Sequence, residues 1–347
     1  MKIIPIVLVI FLNSFCLSAQ VVNEKKYTIN TIAFYNVENL FDTLDDPNTF
    51  DDDRTPKGKD KWTNDIYEKK LINIARVIAD IGFDLTKSGP SIVGLCEIEN
   101  KKVLNDLINK TPLIKENYGI VHYDSPDERG VDVAMLYKKD RFKVKSSKAH
   151  PLYLKRKDGT IDYTRDHLVV AGELDNDPIY FVINHWPSRA GGQIKSEPSR
   201  VLAGKLNKKI IDSVLKQNPR AYIINMGDFN DNPNDKSIQS NLNSISKKTD
   251  MKFNQLYNPM TELYKKGYGS YKYRGDWDMI DQFLLSKNLV DDRNGLFFLA
   301  AGVFNENYLI NPEGKYKGYP YKSFAGGKFL NGYSDHFPIY LFLAKEF

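Results

Sequence analysis

Only two cysteines, Cys16 and Cys96, occur in 347 residues, so a disulfide framework is excluded. Apolar runs of membrane-spanning length are lacking too: the longest candidate covers residues 3–12, whereas a spanning helix needs about 20 residues. There is no internal repeat, low-complexity tract or linker-like stretch, which favours one domain over residues 20–347. Strong charge of one sign is also missing. A formal net charge of +5 and a pI near 8.8 are mildly basic, compatible with a polyanionic substrate but too slight to establish one. What is present is 41% hydrophobic and 27% charged, the balance of a globular chain long enough for one large α/β domain.

The beginning of the chain has the three-part layout of a secretory signal peptide. Lys2 precedes the apolar run, and Leu17-Ser-Ala19 forms a small-residue exit. Cleavage after Ala19 is expected to release a secreted or periplasmic protein starting at Gln20. Bulky Phe15 before Cys16 argues against a lipoprotein anchor. Cys96 is then the sole cysteine. At the end of an apolar strand and with no histidine beside it in sequence, it reads as small buried filler.

The chain is organised around residues 222–233, where an apolar strand runs into Gly227 and delivers Asp228 and Asn230 around Phe229. Buried strands read as near-continuous apolar runs, so polar side chains at such a tip are poorly explained by packing. Open α/β sheets keep their chemistry at the carboxyl ends of strands. Other tips repeat the pattern. Residues 27–36 end in Asn36 and Glu38 around Val37, and residues 91–96 end in Glu97 and Glu99. Residues 179–184 end in His185, followed by a Gly-rich loop carrying Arg189. Asp281 interrupts an apolar stretch at 276–286, and Asp335-His336 precedes a last strand at 339–343. A buried aspartate without compensation is costly, which pairs Asp281 with His336. A carboxylate at the tip of an apolar strand is costly unless it meets a cation, which makes Glu97 a metal-ligand candidate.

Between the tips the periodicity alternates. Residues 64–81 show a helical apolar face, a short helix is expected at 103–109, and a long amphipathic helix at 194–216, with Leu202, Leu206, Ile210, Ile211 and Val214 facing inward. Residues 119–123, 131–137, 142–148 and 167–174 read as strands, with Arg165 just before the last of these. The Asp-rich excursion at 42–63 reads as solvated, with calcium binding as its functional alternative. Residues 289–330 read as a long surface loop.

Taken in order, Asn36-Val-Glu38, Leu95-Cys-Glu97, Asn184-His185, Gly227-Asp-Phe-Asn230, Ile280-Asp281 and Ser334-Asp-His-Phe-Pro338 resemble the motifs of the endonuclease/exonuclease/phosphatase superfamily, the DNase I-like metal-dependent phosphoesterases. The resemblance implies a four-layered α/β sandwich, two packed mixed β-sheets flanked by helices. It implies Mg²⁺, with Mn²⁺ or Ca²⁺ as alternatives, held by Glu97 with Asn36, Glu38 and Asp335 in or near the shell. His336 oriented by Asp281, His185, Asp228 positioning water and Asn230 donating to a phosphate oxygen would form the catalytic set. Arg165 and Arg189, with Asn230, would contact phosphate, since guanidinium suits it. The implied substrate is nucleic acid, DNA first, with no obligate protein partner. A phospholipid or small phosphate ester is the alternative. The Cys-Asp-Arg signature of the inositol phosphatases is lacking around 276–282. A catalytically inactive binding module is the remaining reading.

Overall fold

The structure, a computed structural model, describes residues 25–249 and 251–346. The signal segment expected at 1–19 lies outside them. Among the described residues no helix is long and apolar enough to cross a membrane.

Two mixed sheets dominate. In the six-stranded sheet the order is Phe297–Val303, Ile339–Glu346, Tyr27–Leu40, Ile92–Ile98, Asp132–Lys138, Tyr118–His122. The seven-stranded sheet runs Ser244–Ile245, Leu256–Tyr257, Asp281–Ser286, Tyr222–Asp228, Asp177–His185, His167–Leu174, Phe142–His150. Successive strand side chains point to opposite faces, and this alternation builds the layers. Ile32 and Phe34 face the other sheet, meeting Ile183, Ile224, Met226 and Phe283 in one core. Ala33 and Tyr35 face outward, beneath helix Asn64–Asp80 with its Leu71, Ile74 and Ile78. On the far side, Val182, Ile223 and Leu284 pack under helix Gln193–Gln217 through Ala203, Ile210, Ile211 and Leu215. Both faces of each sheet are covered, which is why the strands carry continuous apolar runs. The result is the α/β sandwich expected from the sequence.

The sheets approach closely at Gly94, where a Cβ would lie 2.9 Å from Met226 Cε. Gly227 answers a similar constraint one residue before Asp228, because a Cβ there would meet the Asn184 carbonyl oxygen at 2.4 Å.

Three expectations need correction. Residues 289–330 are not all loop: Phe297–Val303 is an edge strand paired with Ile339–Glu346. Its one-sided pairing and a register shift at Phe298/Ala300 leave Leu299 exposed, which erases the alternation that announces a strand. In helix Gln193–Gln217 the buried stripe runs through Arg200, Ala203, Gly204 and Asn207, while Leu202 is exposed. Ile210 and Ile211 face inward as expected, with Leu206 and Val214 packed beside them; near the helix start the buried positions are polar or small, and Arg200 and Asn207 are held there by hydrogen bonds that hydrophobicity does not reveal. Finally, Asp281 begins a strand instead of interrupting one. Asp276–Asp278 pairs separately with Tyr271–Tyr273 across a turn in which Arg274 and Gly275 both have positive φ, +52° and +102°.

In the 42–63 excursion the carboxylates of Asp42, Asp46 and Asp51 accept backbone N–H groups of Leu44, Asn48 and Asp46. This is turn chemistry. Cys96 is free and buried; its Sγ lies within 4.8 Å of ring and carboxylate atoms of His185 and Asp228, neighbours that its place in the sequence does not show, and burial with the Asp228 charge raises its thiol well above the ordinary value.

Candidate active site

Strand direction collects the polar tips. Tyr27–Leu40 runs parallel to Ile92–Ile98, and Asp177–His185 parallel to Tyr222–Asp228, so each pair ends together. The antiparallel strand Asp281–Ser286 begins where Tyr222–Asp228 ends, with Asp281 opposite Asp228. Ile339–Glu346 begins opposite Phe34, which brings the preceding His336 to the same edge. Register does the fine placement: His185, Asp228 and Asp281 are lateral neighbours across three strands, and such neighbours project to the same face.

At the tips the ladder breaks. Register shifts fall between Asn36 and Leu40 and between Cys96 and Ile98. There Glu38, Asn39 and Glu97 take left-handed φ values of +53°, +57° and +62°, and Asn230 takes +52°. Each such residue costs on the order of 1–3 kcal/mol unless its surroundings hold it. Bulges of this kind re-aim side chains beside active sites, and they account for the polar–apolar–polar tips in the sequence.

The centre is Asp228. Its Oδ2 lies 3.8 Å from His185 Nε2 and 3.9 Å from His336 Nε2, and it accepts from Asn36 Nδ2 at 3.1 Å. Its Oδ1 accepts from the Asn230 N–H at 2.9 Å. Burial and the nearby Asp281 push the Asp228 carboxyl up to about 7. His336 Nδ1 meets Asp281 Oδ2 at 2.7 Å, which turns Nε2 toward Asp228. Burial pulls this ring's pKa down, but Asp281, Asp228 and Asp335 outweigh it and hold the imidazole well above its ordinary value. His185 has the opposite fate: burial, reinforced by Arg165 and Arg129, drives it well below and keeps it neutral. The two imidazoles are thus shifted in opposite directions around one carboxylate.

A second group of oxygens stands alongside. Glu97 Oε2 accepts from the Asn39 N–H at 2.9 Å. Glu38 Oε2 accepts from Ser323 N–H at 2.6 Å and Ser323 Oγ–H at 2.7 Å. Fully buried Lys70, its pKa lowered by burial to about 8, donates in turn to Ser323 Oγ. Half-buried Asp335 is pushed up to about 7 by burial and by the Glu38 and Glu97 charges. A carboxyl pushed up by neighbouring carboxylates wants a cation, and an all-oxygen donor set suits a hard divalent ion such as Mg²⁺. Glu38, Glu97 and Asp335 fit that group. Asn36 sits beside them with its Oδ1 already accepting from the Glu38 N–H at 3.0 Å.

A pocket of about 790 Å³ opens over these groups, lined by Glu97, His185, Asp228, Asn230, Asp335 and His336. Arg189 lines it too, its guanidinium bonded to Asn230 O at 2.7 Å and Asp278 Oδ1 at 3.1 Å. Arg165 is placed differently. It is buried, with Nη1 on Asp127 Oδ2 at 2.9 Å, Nη2 on the Trp186 carbonyl at 2.7 Å and Nε on the His185 carbonyl at 3.3 Å. It holds the backbone under His185 and is not among the pocket's lining residues. Asn230 Nδ2 donates to the same Trp186 carbonyl at 2.9 Å, leaving its second amide hydrogen for the pocket.

Sequence reading missed Ser323 and Lys70, which hold Glu38, and Arg129, Arg274 and Tyr271, which line the pocket. Tyr271 bridges to His336 along the backbone, its ring centroid 4.9 Å away. None of these follows an apolar strand in the sequence: Tyr271 opens and Arg274 follows a three-residue strand too short to announce itself, and the others lie in a helix or in loops.

A family model described as "Endonuclease/Exonuclease/phosphatase family" matches residues 31–345. The chain belongs to this family. No curated protein matches it in sequence. Among solved structures, an endonuclease/exonuclease/phosphatase family protein from Bacteroides thetaiotaomicron is similar with a TM-score of 0.56 at 16% identity, over 93% of this chain and 97% of that one. D. rerio TDP2 complexed with single strand DNA product gives a TM-score of 0.53 at 15% identity, over 91% and 99%. A mannosyl-6-phosphatase from B. thetaiotaomicron gives 0.54 at 16% identity, over 90% and 99%. At such identities the likeness is one of fold. Members of the family are metal-dependent phosphoesterases, and in this member Asp228, Asp281 and His336 bring acidic and imidazole groups together at the strand ends.

Proposed function

We propose that this family member is a Mg²⁺-dependent phosphodiesterase that hydrolyses nucleic acid as a DNase I-like endonuclease, exported by its N-terminal leader. The observation that carries the reading is Asp228 Oδ2 flanked by two imidazole Nε2 atoms at 3.8 and 3.9 Å. Phosphodiester hydrolysis needs an aimed water, neutralisation of the transition-state charge and a proton for the leaving oxygen. Asp228 orients the water. His336, fixed by Asp281 and held protonated by its carboxylates, polarises the phosphate or donates a proton to it. Neutral His185 takes the complementary share of proton transfer, and Asn230 donates to a phosphate oxygen. Glu97, with Glu38, Asp335 and Asn36, would hold the cation. Bound there, a divalent ion neutralises phosphate charge as a Lewis acid. Arg189 and Arg129 supply guanidinium donors to the wall, Arg189 steadied by Asp278 and Asp235 and Arg129 by Asp127.

The test is nicking of supercoiled plasmid by the purified mature protein with Mg²⁺, with and without chelator, beside His336→Ala. Nicking that requires both metal and His336 supports the reading. A folded, metal-binding protein that nicks nothing but hydrolyses a phospholipid headgroup or a small phosphate ester overturns the substrate and keeps the site. Metal binding without turnover of any phosphoester makes the chain a binding module.

A further inference from the structure

A second cleft of about 560 Å³ adjoins the pocket over the metal-type carboxylates and shares Tyr271, Tyr273, Arg274 and Asp335 with it. Its far wall comes from residues 311–330, the stretch between the edge strand and the last strand. The lining alternates aromatic faces with cations. Lys272 Nζ lies 4.7 Å from the Tyr319 ring centroid, Lys315 Nζ 5.6 Å and Lys322 Nζ 5.9 Å from that of Tyr316. On the hairpin, Arg274 lies 5.3 Å from the Tyr273 ring. Tyr273 and Tyr316 remain 54% and 46% exposed, and the cations over them are the ends of flexible side chains that a stacking base displaces toward its phosphate. Asp335, at the junction of the two cavities, is the one carboxylate among the cleft's lining residues.

Aromatic rings at this exposure are an unfavourable surface for water unless something stacks on them. Rings interleaved with ammonium and guanidinium groups offer what an unpaired polynucleotide needs: π-faces for the bases and cations along the phosphates. A duplex cannot use the rings, since its base faces are already stacked. A sugar phosphate has no bases to stack on these rings.

Resting on the nuclease reading above, we infer that the cleft is a flanking subsite for single-stranded nucleic acid, stacking bases next to the scissile phosphate on Tyr273, Tyr316 and Tyr319 while Lys315, Lys322 and Lys272 meet the backbone. The enzyme therefore prefers single-stranded ends, gaps or loops over intact duplex.

The test uses the full mature protein and three probes: a short fluorescein-labelled oligothymidylate, its ribonucleotide counterpart, and the same length of duplex. Binding is read by anisotropy in chelator and cleavage with Mg²⁺. Bis(4-nitrophenyl) phosphate, a small diester with no flanking nucleotides, is the internal control. The variants are Lys315→Ala/Tyr316→Ala and, as conservative rescue, Tyr316→Trp. The inference expects the double variant to lose about tenfold in oligonucleotide binding and cleavage, to hydrolyse the small diester unchanged, and Tyr316→Trp to behave as wild type. Preference between the deoxy and ribo probes assigns the strand type. A double variant that binds and cleaves the oligonucleotide as wild type does overturns the subsite, as does wild-type binding confined to duplex. A wild-type protein that hydrolyses the small diester but neither binds nor cleaves any oligonucleotide overturns the nuclease reading itself, and is told apart because the wild type fails.

Discussion

Asp281 Oδ2 stands 2.7 Å from His336 Nδ1 across 55 residues of sequence, and this contact decides which ring nitrogen faces Asp228. A carboxylate on Nδ1 fixes the tautomer and stabilises the imidazolium. Asp281→Asn keeps the shape and removes the charge. Turnover is expected to fall by about 10²-fold or more, and the His336 ring to titrate at lower pH by NMR. Activity within a factor of about two of wild type would show that His336 acts without this partner.

Ser323 offers a cleaner probe of the Glu38 arm, because both its N–H and its hydroxyl bond Glu38 Oε2. Ser323→Ala keeps the first and removes the second. Loss of a partner that orients a metal ligand typically costs about 10–100-fold in metal affinity or activity. The concentration of Mg²⁺ giving half-maximal activity should rise by that factor, while the rate at saturating metal changes little. An unchanged metal requirement would separate Glu38 from the cation.

Arg165 separates two kinds of role. A phosphate ligand, once truncated, raises KM and leaves stability alone. Here the guanidinium closes a buried pair with Asp127 and bonds two carbonyls below His185. Removing one partner of a buried pair costs about 3–5 kcal/mol. Arg165→Ala should therefore lower Tm by several degrees and reduce kcat through His185. An unchanged Tm with a raised KM would return Arg165 to phosphate binding.

His167 supplies a pH signature. It is fully buried, and burial lowers its pKa to about 3, with Asn207 Nδ2 bonded to its Nδ1 at 2.9 Å. The unfolded chain takes up this proton near pH 6.5 and the folded chain does not, so the unfolded state binds more protons between about pH 6.5 and 3. Stability from this group is whole above that window and is lost as pH falls through it, by up to about 1.4 kcal/mol per pH unit. Urea unfolding of wild type and His167→Gln at pH 7 and pH 5 should show the difference between them narrowing or reversing at the lower pH. A constant difference would mean His167 titrates normally in the fold.

The covered sheets explain how much could be read locally. A strand buried on both faces must be apolar throughout, so polar residues at its tip stand out within a few positions. Asn36, Glu38, Glu97, His185, Asp228 and Asn230 were legible for that reason, as were the helices and the layered α/β class, because periodicity is a property of neighbouring residues. Edge strand Phe297–Val303 and the buried polar stripe of helix Gln193–Gln217 escaped, since one-sided pairing and a network through Asn184, Asn207 and Asn225 replace the hydrophobic signal.

By itself, then, the amino-acid sequence determined which residues end each strand and that these ends carry oxygen and imidazole groups. Tertiary structure alone decided their partners. It turned Arg165 inward onto the His185 backbone, set Ser323 under Glu38 across 285 residues, shifted two imidazoles in opposite directions, and laid an aromatic and cationic cleft beside the pocket. The physical reason is that hydrogen-bond partners, desolvation and the field of surrounding charges are fixed by which distant segments pack together, and no local window of the chain contains them.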